Sequence, residues 1–195
     1  MKRILLSVLT SCSLISARAD LFQYDITFSS AGEALPSTGT GFGTVNYDSF
    51  AHTLQLQASF SGLQGTTTAS HIHAATAVAG TGNAGVATTT PSFAFFPLGV
   101  TSGSFSNTLD LTSASSWNAS YITAHGGTTT QAELDLIAAF GAGTAYWNIH
   151  SSFGPGGEIR GFVTAVPEPT SAALLGLGGI VMAGRVWKKS RARQV

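Results

Sequence analysis

Two histidines separated by one residue are the first feature of this sequence that could do chemistry. His71 and His73 stand in a stretch predicted as a strand, where side chains at i and i+2 project to the same face about 6.5 to 7 Å apart. That spacing suits two ligands of one metal ion. His150 ends a second predicted strand. The pattern predicts a transition-metal site, for which neutral imidazoles favour zinc or copper.

A second polar group follows His150 after the Gly-rich loop 151–157. If this loop closes a hairpin in which His150 faces Glu158, then Asn148 faces Arg160. One face of the hairpin would then carry a histidine, a carboxylate and a guanidinium. We therefore expect Glu158 to be a fourth ligand or a group that supports one, and Asn148 and Arg160 to form a polar pocket beside it.

The same residues allow interpretations without a metal. The histidines could hydrogen-bond one another, Arg160 and the Gly-rich loop, and so lock a polar pocket. Glu158 and His150 could form an acid and base pair, although an ion pair or hydrogen bond that fixes the hairpin is favoured. The sequence has no Gly-x-Ser-x-Gly elbow, and its one cysteine, Cys12, lies near the N-terminus. We predict no catalytic residue and no enzymatic activity.

Short alternating runs must position these side chains. From Phe22 to Phe28, apolar and polar residues alternate with the period of two that a half-buried strand shows. Further strands are predicted over 40–47, 52–60, 71–74, 103–111, 145–150 and 158–163. The core side of the last hairpin is predicted to hold Trp147, Ile149, Ile159 and Val163. About seven strands divided by Gly, Ser and Pro turns predict an all-β fold, a single antiparallel Ig-like β-sandwich.

Two segments break the strand pattern. Thr130 and Glu133 have the spacing of a capping box before apolar residues with helical periodicity, which predicts a helix over 130–140. A second helix is predicted over 115–125. We expect both short helices, inserted before the last hairpin, to cover an edge or an end of the sandwich.

The histidine strand and the closing hairpin resemble a known family. The resemblance is carried by His71-Ile72-His73, by Ala145-Tyr146-Trp147-Asn148-Ile149-His150 and by Gly157-Glu158-Ile159-Arg160-Gly161. It covers most of 22–163 and is to the CHRD domain, the module repeated in chordin and present singly in many bacterial secreted proteins. Chordin binds growth factors outside the cell, so the resemblance implies an extracellular binding or structural module, with no reaction attached.

A His-x-His strand in a secreted sandwich also resembles copper, zinc superoxide dismutase. That likeness is at the level of the fold, which does not determine function. His52 and His125 lack the local context that further ligands would need, and the structural disulfide is impossible because Cys12 has no partner. We do not expect dismutase activity.

The N-terminus has the pattern of a secretory signal peptide. Lys2 and Arg3 precede an apolar stretch over 4–15, and small residues occupy the two positions that signal peptidase reads, Ala17 and Ala19. Cleavage is therefore predicted after Ala19. An uncleaved anchor would need about 20 apolar residues, more than this stretch provides. The alternative of a lipoprotein at Cys12 is disfavoured because apolar sequence continues beyond that residue.

The C-terminus has the pattern of a sorting signal. Pro167, Glu168 and Pro169 precede an apolar run over 171–187 and a basic cluster over 188–193. At about 1.5 Å per residue the run would span roughly 25 Å, close to the hydrocarbon core of a membrane, with the basic cluster in the cytoplasm. This order resembles the PEP-CTERM tail, by which exosortase-bearing Gram-negative bacteria send proteins to the cell surface and extracellular matrix. It implies transient membrane insertion and processing by exosortase.

These features divide the chain into a signal peptide (1–19), a sandwich domain (20–165) and a sorting tail (166–195). The domain has one cation, Arg160, and eight acidic residues, which give a formal charge of −7 with neutral histidines. Such a chain cannot neutralise several phosphates, so nucleic acid is excluded as a partner. We expect an exported surface or matrix protein that binds matrix or surface components, and alternatively a histidine-based metal-binding protein.

Overall fold

The domain is built from eight strands and two helices. The computed structural model describes residues 21–167. Its elements are β1 (Leu21–Phe28), β2 (Thr40–Asp48), β3 (Thr53–Ser61), β4 (Thr67–His73), β5 (Gly103–Asp110), α1 (Ala119–Ala124), α2 (Thr129–Gly141), β6 (Tyr146–Ser151), β7 (Ile159–Phe162) and β8 (Thr164–Ala165). The predicted signal peptide and the predicted membrane-spanning run over 171–187 lie outside the described residues. Between 21 and 167, no helix has the length and apolar character that crossing a membrane requires.

The strands form two antiparallel sheets. The large sheet has the order β5-β3-β2-β1-β8, and the small sheet has the order β4-β6-β7. The two sheets are joined at one corner, where the backbones of Ser29 and Arg160 exchange hydrogen bonds of 3.0 and 2.9 Å. The prediction of an antiparallel β-sandwich is confirmed.

The core lies between the two sheets. Alternation along β1 buries Tyr24, Ile26 and Phe28 while the residues between them stay partly or fully exposed. From the small sheet, Trp147 meets the ring of Phe28 edge-on, with 5.5 Å between ring centroids. The side chains predicted for the inner side of the last hairpin are all fully buried, namely Trp147, Ile149, Ile159 and Val163. Because an aromatic ring buries 150 to 250 Å², Trp147 is a major apolar contact of the core.

Helix α2 forms where it was predicted, but its start differs in detail. The N-cap is Thr128, whose side chain accepts a hydrogen bond from the amide of Gln131 at 3.2 Å. Glu133 does not belong to a capping box. Its buried carboxylate accepts hydrogen bonds from Tyr47 Oη at 2.7 Å and from His52 Nδ1 at 3.0 Å, so it fastens the helix to the large sheet.

The second predicted helix is shorter than expected. A 3-10 turn occupies Ala114–Ser116, and α1 begins only at Ala119. The chain is extended at Trp117 and Asn118, and the Asn118 side chain caps α1 by accepting a hydrogen bond from Ser120 N at 3.0 Å. An asparagine favours such a cap over a helix interior because its side chain competes for backbone hydrogen bonds.

Candidate metal centre

The histidines lie on the outer face of the small sheet. In the antiparallel pairing of β4 with β6, His71 lies opposite Asn148 and His73 lies opposite Tyr146. His150 follows Asn148 by two residues on β6, so its side chain shares their face of the sheet. The intervening residues of both strands face the apolar core. The sequence prediction that His71, His73 and His150 share one face therefore agrees with the structure.

The three imidazoles converge on one point. One nitrogen of each ring lies within 4.8 Å of the other two, and they form the one group of three or more potential ligands found among residues 21–167. The Nε2 atoms of His71 and His150 are 2.9 Å apart. All three side chains are buried, with residue exposures of 7%, 8% and 9% for His71, His73 and His150.

Each ring is oriented by a backbone carbonyl group. The three pairs are His71 Nδ1 with Pro91 O at 3.1 Å, His73 Nδ1 with Ala84 O at 2.8 Å, and His150 Nδ1 with Pro155 O at 2.9 Å. A carbonyl oxygen can only accept a hydrogen bond, so this partner assigns the proton to Nδ1 in every ring. Nε2 then carries a free lone pair in each neutral imidazole. Carbonyl groups hold metal-ligating histidines in this tautomer in many proteins.

The surroundings keep the rings neutral. Burial lowers the pKa of His71 to about 4, and the nearby His150 and His73 add to the effect. Burial also lowers the pKa of His73 to about 4 against the opposing hydrogen bond to Ala84, and it lowers the pKa of His150. At neutral pH the cluster therefore presents three uncharged rings. The Nε2 of His73 is buried and has no hydrogen-bond partner within the described part of the chain.

Arg160 lies beside the histidine cluster and contacts residues that hold the His73 ring. Its guanidinium carbon lies 4.8 Å from the centroid of the Tyr146 ring, which in turn stacks on the His73 ring at 4.6 Å. Arg160 also donates hydrogen bonds to Gly82 O at 3.1 Å and to Asn83 Oδ1 at 2.8 Å. These contacts anchor the segment just before Ala84, whose carbonyl orients His73. Arg160 is therefore a positioning residue for one of the three rings.

The partner of Arg160 is Glu33, which the sequence did not indicate. Glu33 Oε1 lies 3.4 Å from Arg160 Nε, and both side chains are buried. Burial raises the pKa of Glu33, while the charge of Arg160 opposes this increase. Glu33 lies in the loop between β1 and β2, far from Arg160 in sequence, and nothing local distinguished it from the other acidic residues.

Asn148 lies beside this pair, as the predicted hairpin register requires. Asn148 is paired with Arg160 in β6 and β7. The backbone of Gly157 lies close to the Asn148 side chain and has a φ of +136°. A Cβ atom at residue 157 would lie 2.5 Å from Asn148 Nδ2 and 2.6 Å from Glu33 Oε2. Glycine is therefore required at this position both by conformation and by space. The polar pocket predicted around Asn148 and Arg160 includes Glu33 as well.

Glu158 does not join the histidines, so the prediction of a fourth ligand at this position is wrong. Its carboxylate accepts hydrogen bonds from Ser37 Oγ at 2.5 Å, Gln64 N at 2.6 Å, Gly65 N at 3.2 Å and Ser151 Oγ. Burial raises the pKa of Glu158, but these hydrogen bonds outweigh burial and leave the pKa below its usual value. Glu158 precedes β7, and its carboxylate turns to these donors, so the alternative pairing with His150 is not formed either.

The processing sites lie almost wholly outside the described region. Pro167 is the last described residue and is exposed. The rest of the predicted sorting box, Glu168 and Pro169, and the predicted cleavage positions, Ala17 and Ala19, belong to the segments that the structure does not describe.

The described residues form a β-sandwich with a buried cluster of three histidines on its smaller sheet. Comparison with protein families finds that the CHRD domain matches residues 24–163 and that the PEP-CTERM protein-sorting motif matches residues 165–190. The chain therefore belongs to the CHRD domain family and carries an exosortase sorting tail, so it is an exported protein of the cell surface or extracellular space. No curated protein and no solved structure matches the chain.

Proposed function

We propose that this exported protein binds one transition-metal ion, copper or zinc, through His71, His73 and His150, and that it acts as a non-enzymatic module at the cell surface. The observation that carries the proposal is the arrangement of the ring nitrogens. Every Nδ1 faces a carbonyl oxygen, and the nitrogens left over point toward one another.

A cluster without a metal would leave an electrostatic conflict. His71 Nε2 and His150 Nε2 are 2.9 Å apart, and in neutral rings with protonated Nδ1 both atoms are acceptors. A hydrogen bond between them needs a proton on one Nε2, which makes that ring an imidazolium. Burial disfavours this charge. A metal ion at the centre removes the conflict because it accepts all three lone pairs.

The distances suit one small ion. Zinc binds imidazole nitrogen at about 2.0 to 2.1 Å, so two ligands of a tetrahedral ion are about 3.3 to 3.4 Å apart. The structure gives 2.9 Å for His71 and His150 and at most 4.8 Å within the cluster. These distances lie on both sides of the value that one tetrahedral ion requires.

The surface role is supported by the family and the sorting tail. A CHRD domain occupies most of the chain, and the PEP-CTERM motif directs processing by exosortase. Since each histidine ring is oriented by a backbone carbonyl group and the three rings face one another, we propose binding rather than catalysis. Matrix or surface components are the proposed macromolecular partners of the exposed faces.

Calorimetric titration of the processed, chelator-stripped protein tests the metal proposal. We expect one zinc or copper ion per chain with a dissociation constant below about 10 µM at pH 7.5. The double variant His71→Ala, His73→Ala should lose this binding. His125→Ala is the matched control, because His125 contacts Asp135 at 2.7 Å on the surface and lies outside the cluster.

Absence of binding in the native protein would refute the proposal. Equal binding by the double variant would also refute it and would assign the ion to surface carboxylates.

A further inference from the structure

We infer that the three-histidine cluster is a copper(I) site that holds Cu⁺ in preference to Zn²⁺, an inference that rests on the proposed metal binding. The number of ligands, the charge of the surroundings and the cover over the rings each favour a monovalent ion with three nitrogen ligands.

The number of ligands favours copper(I) over zinc. Structural zinc sites almost always have four ligands, commonly including thiolates or carboxylates. Here the cluster within the described residues stops at three imidazoles. The two buried carboxylates that could have joined are engaged elsewhere, Glu158 by Ser37, Ser151 and two backbone amides, and Glu33 by Arg160. Copper(I), a d¹⁰ ion, accepts three nitrogen ligands in a plane without a fourth.

The charge of the surroundings also favours a monovalent ion. Neutral imidazoles leave the charge of the ion uncompensated, and the free energy of removing an ion from water rises with the square of its charge. A buried dication is therefore much less favourable than a monocation in the same place. The nearest described cation, Arg160, adds to this effect, since it reaches the cluster through the stacked ring of Tyr146.

The cover over the rings favours an ion that needs no further ligand. All three histidines are buried, and His73 Nε2 is shielded from solvent as well as unpartnered within residues 21–167. The carbonyl groups of Ala84, Pro91 and Pro155 hold the covering loops in place. Zinc would need a water molecule or hydroxide within this buried cluster to reach four ligands, whereas three-coordinate copper(I) needs none.

Competition titrations test this selectivity. The chelator-stripped protein is titrated with Cu⁺ under anaerobic reducing conditions against a chromogenic Cu⁺ chelator, and with Zn²⁺ against a chromogenic Zn²⁺ chelator. We expect Cu⁺ to bind at least about 100-fold more tightly than Zn²⁺. X-ray absorption of the copper-loaded protein should show three nitrogen neighbours.

Zinc binding as tight as that of Cu⁺, or a four-coordinate copper, would overturn the copper(I) assignment and leave the proposed metal-binding function standing. Binding of neither ion would overturn both.

A charge variant tests the electrostatic argument separately. Asn148 lies on the same face as the cluster, opposite His71, so Asn148→Asp adds a carboxylate beside the site without removing a ligand. The ratio of Cu⁺ affinity to Zn²⁺ affinity should fall at least about tenfold. Asn46→Asp makes the same change on β2 of the large sheet and should leave the ratio unchanged. Equal ratios in the two variants would contradict the role of charge.

Discussion

Both faces of the small sheet are buried, but the inner face is apolar and the outer face is polar. The inner face packs Trp147, Ile149 and Ile159 into the apolar core against the large sheet. The outer face carries His71, His73 and other polar residues, and loops rather than a second sheet cover it. Burial of apolar groups stabilises the domain directly, whereas burial of polar groups is tolerated only where partners are supplied. The outer face supplies a carbonyl partner to each histidine ring and leaves one nitrogen of each ring within 4.8 Å of the other two.

The largest effect is expected on the inner face, from Trp147→Ala. The fully buried ring contacts Phe28 and Phe93 edge-on, and its Nε1 donates a hydrogen bond to Ser70 Oγ at 2.7 Å. The substitution should lower the free energy of unfolding by about 3 to 5 kcal/mol, measured by denaturant titration. Phe50→Ala, at an exposed aromatic, is the control and should change it by less than about 0.5 kcal/mol. Similar losses for the two variants would contradict the inner-face assignment.

The next effect is expected on the outer face, from Arg160→Ala. This substitution leaves Glu33 buried without its cation, so the free energy of unfolding should fall by about 3 kcal/mol. Adding Glu33→Gln removes the uncompensated charge and should restore part of the loss, which a double-mutant cycle measures. A loss below about 1 kcal/mol would mean that the ion pair is effectively exposed. A loss greater than that of Trp147→Ala would contradict the expectation that the inner face contributes more to stability than the outer face.

A smaller effect is expected from acidification of the metal-free protein. The pKa values of His71 and His73 are lowered from 6.5 to about 4, so between these values the unfolded state binds more protons than the folded state. Stability should therefore decrease as pH falls, by about 1.2 kcal/mol for each ring between pH ~7 and pH ~5.5. Denaturant titrations at both pH values measure the decrease. In the double variant His71→Ala, His73→Ala the decrease should be much smaller, and an equal decrease would place its origin elsewhere.

The contrast between the faces also explains what the sequence could predict. Strand periodicity placed Trp147 and Ile149 in the core and put His71 and His73 on one outer face, because both follow from alternation along a single strand. The pairing of Asn148 with Arg160 was predicted on the assumption that the closing loop sets His150 opposite Glu158, and the register of β6 and β7 has this pair.

Contacts made by loops were not predictable in the same way. Glu33, in the loop after β1, pairs with Arg160. Ser37 and Gln64, in loops distant in sequence, donate hydrogen bonds to the Glu158 carboxylate. Because its carboxylate is hydrogen-bonded to these donors, Glu158 does not pair with His150. At α2, Thr128 caps the helix and Glu133 is buried beside Tyr47, in place of the capping box predicted from Thr130 and Glu133.

A crystal structure of the metal-loaded protein, with anomalous diffraction recorded at the copper and zinc absorption edges, tests the central claim most directly. The account predicts a single anomalous peak about 2.0 to 2.1 Å from the Nε2 atoms of His71, His73 and His150, with Nδ1 of each ring still donating to its backbone carbonyl. A peak at surface carboxylates, or no peak between the three rings, would contradict it.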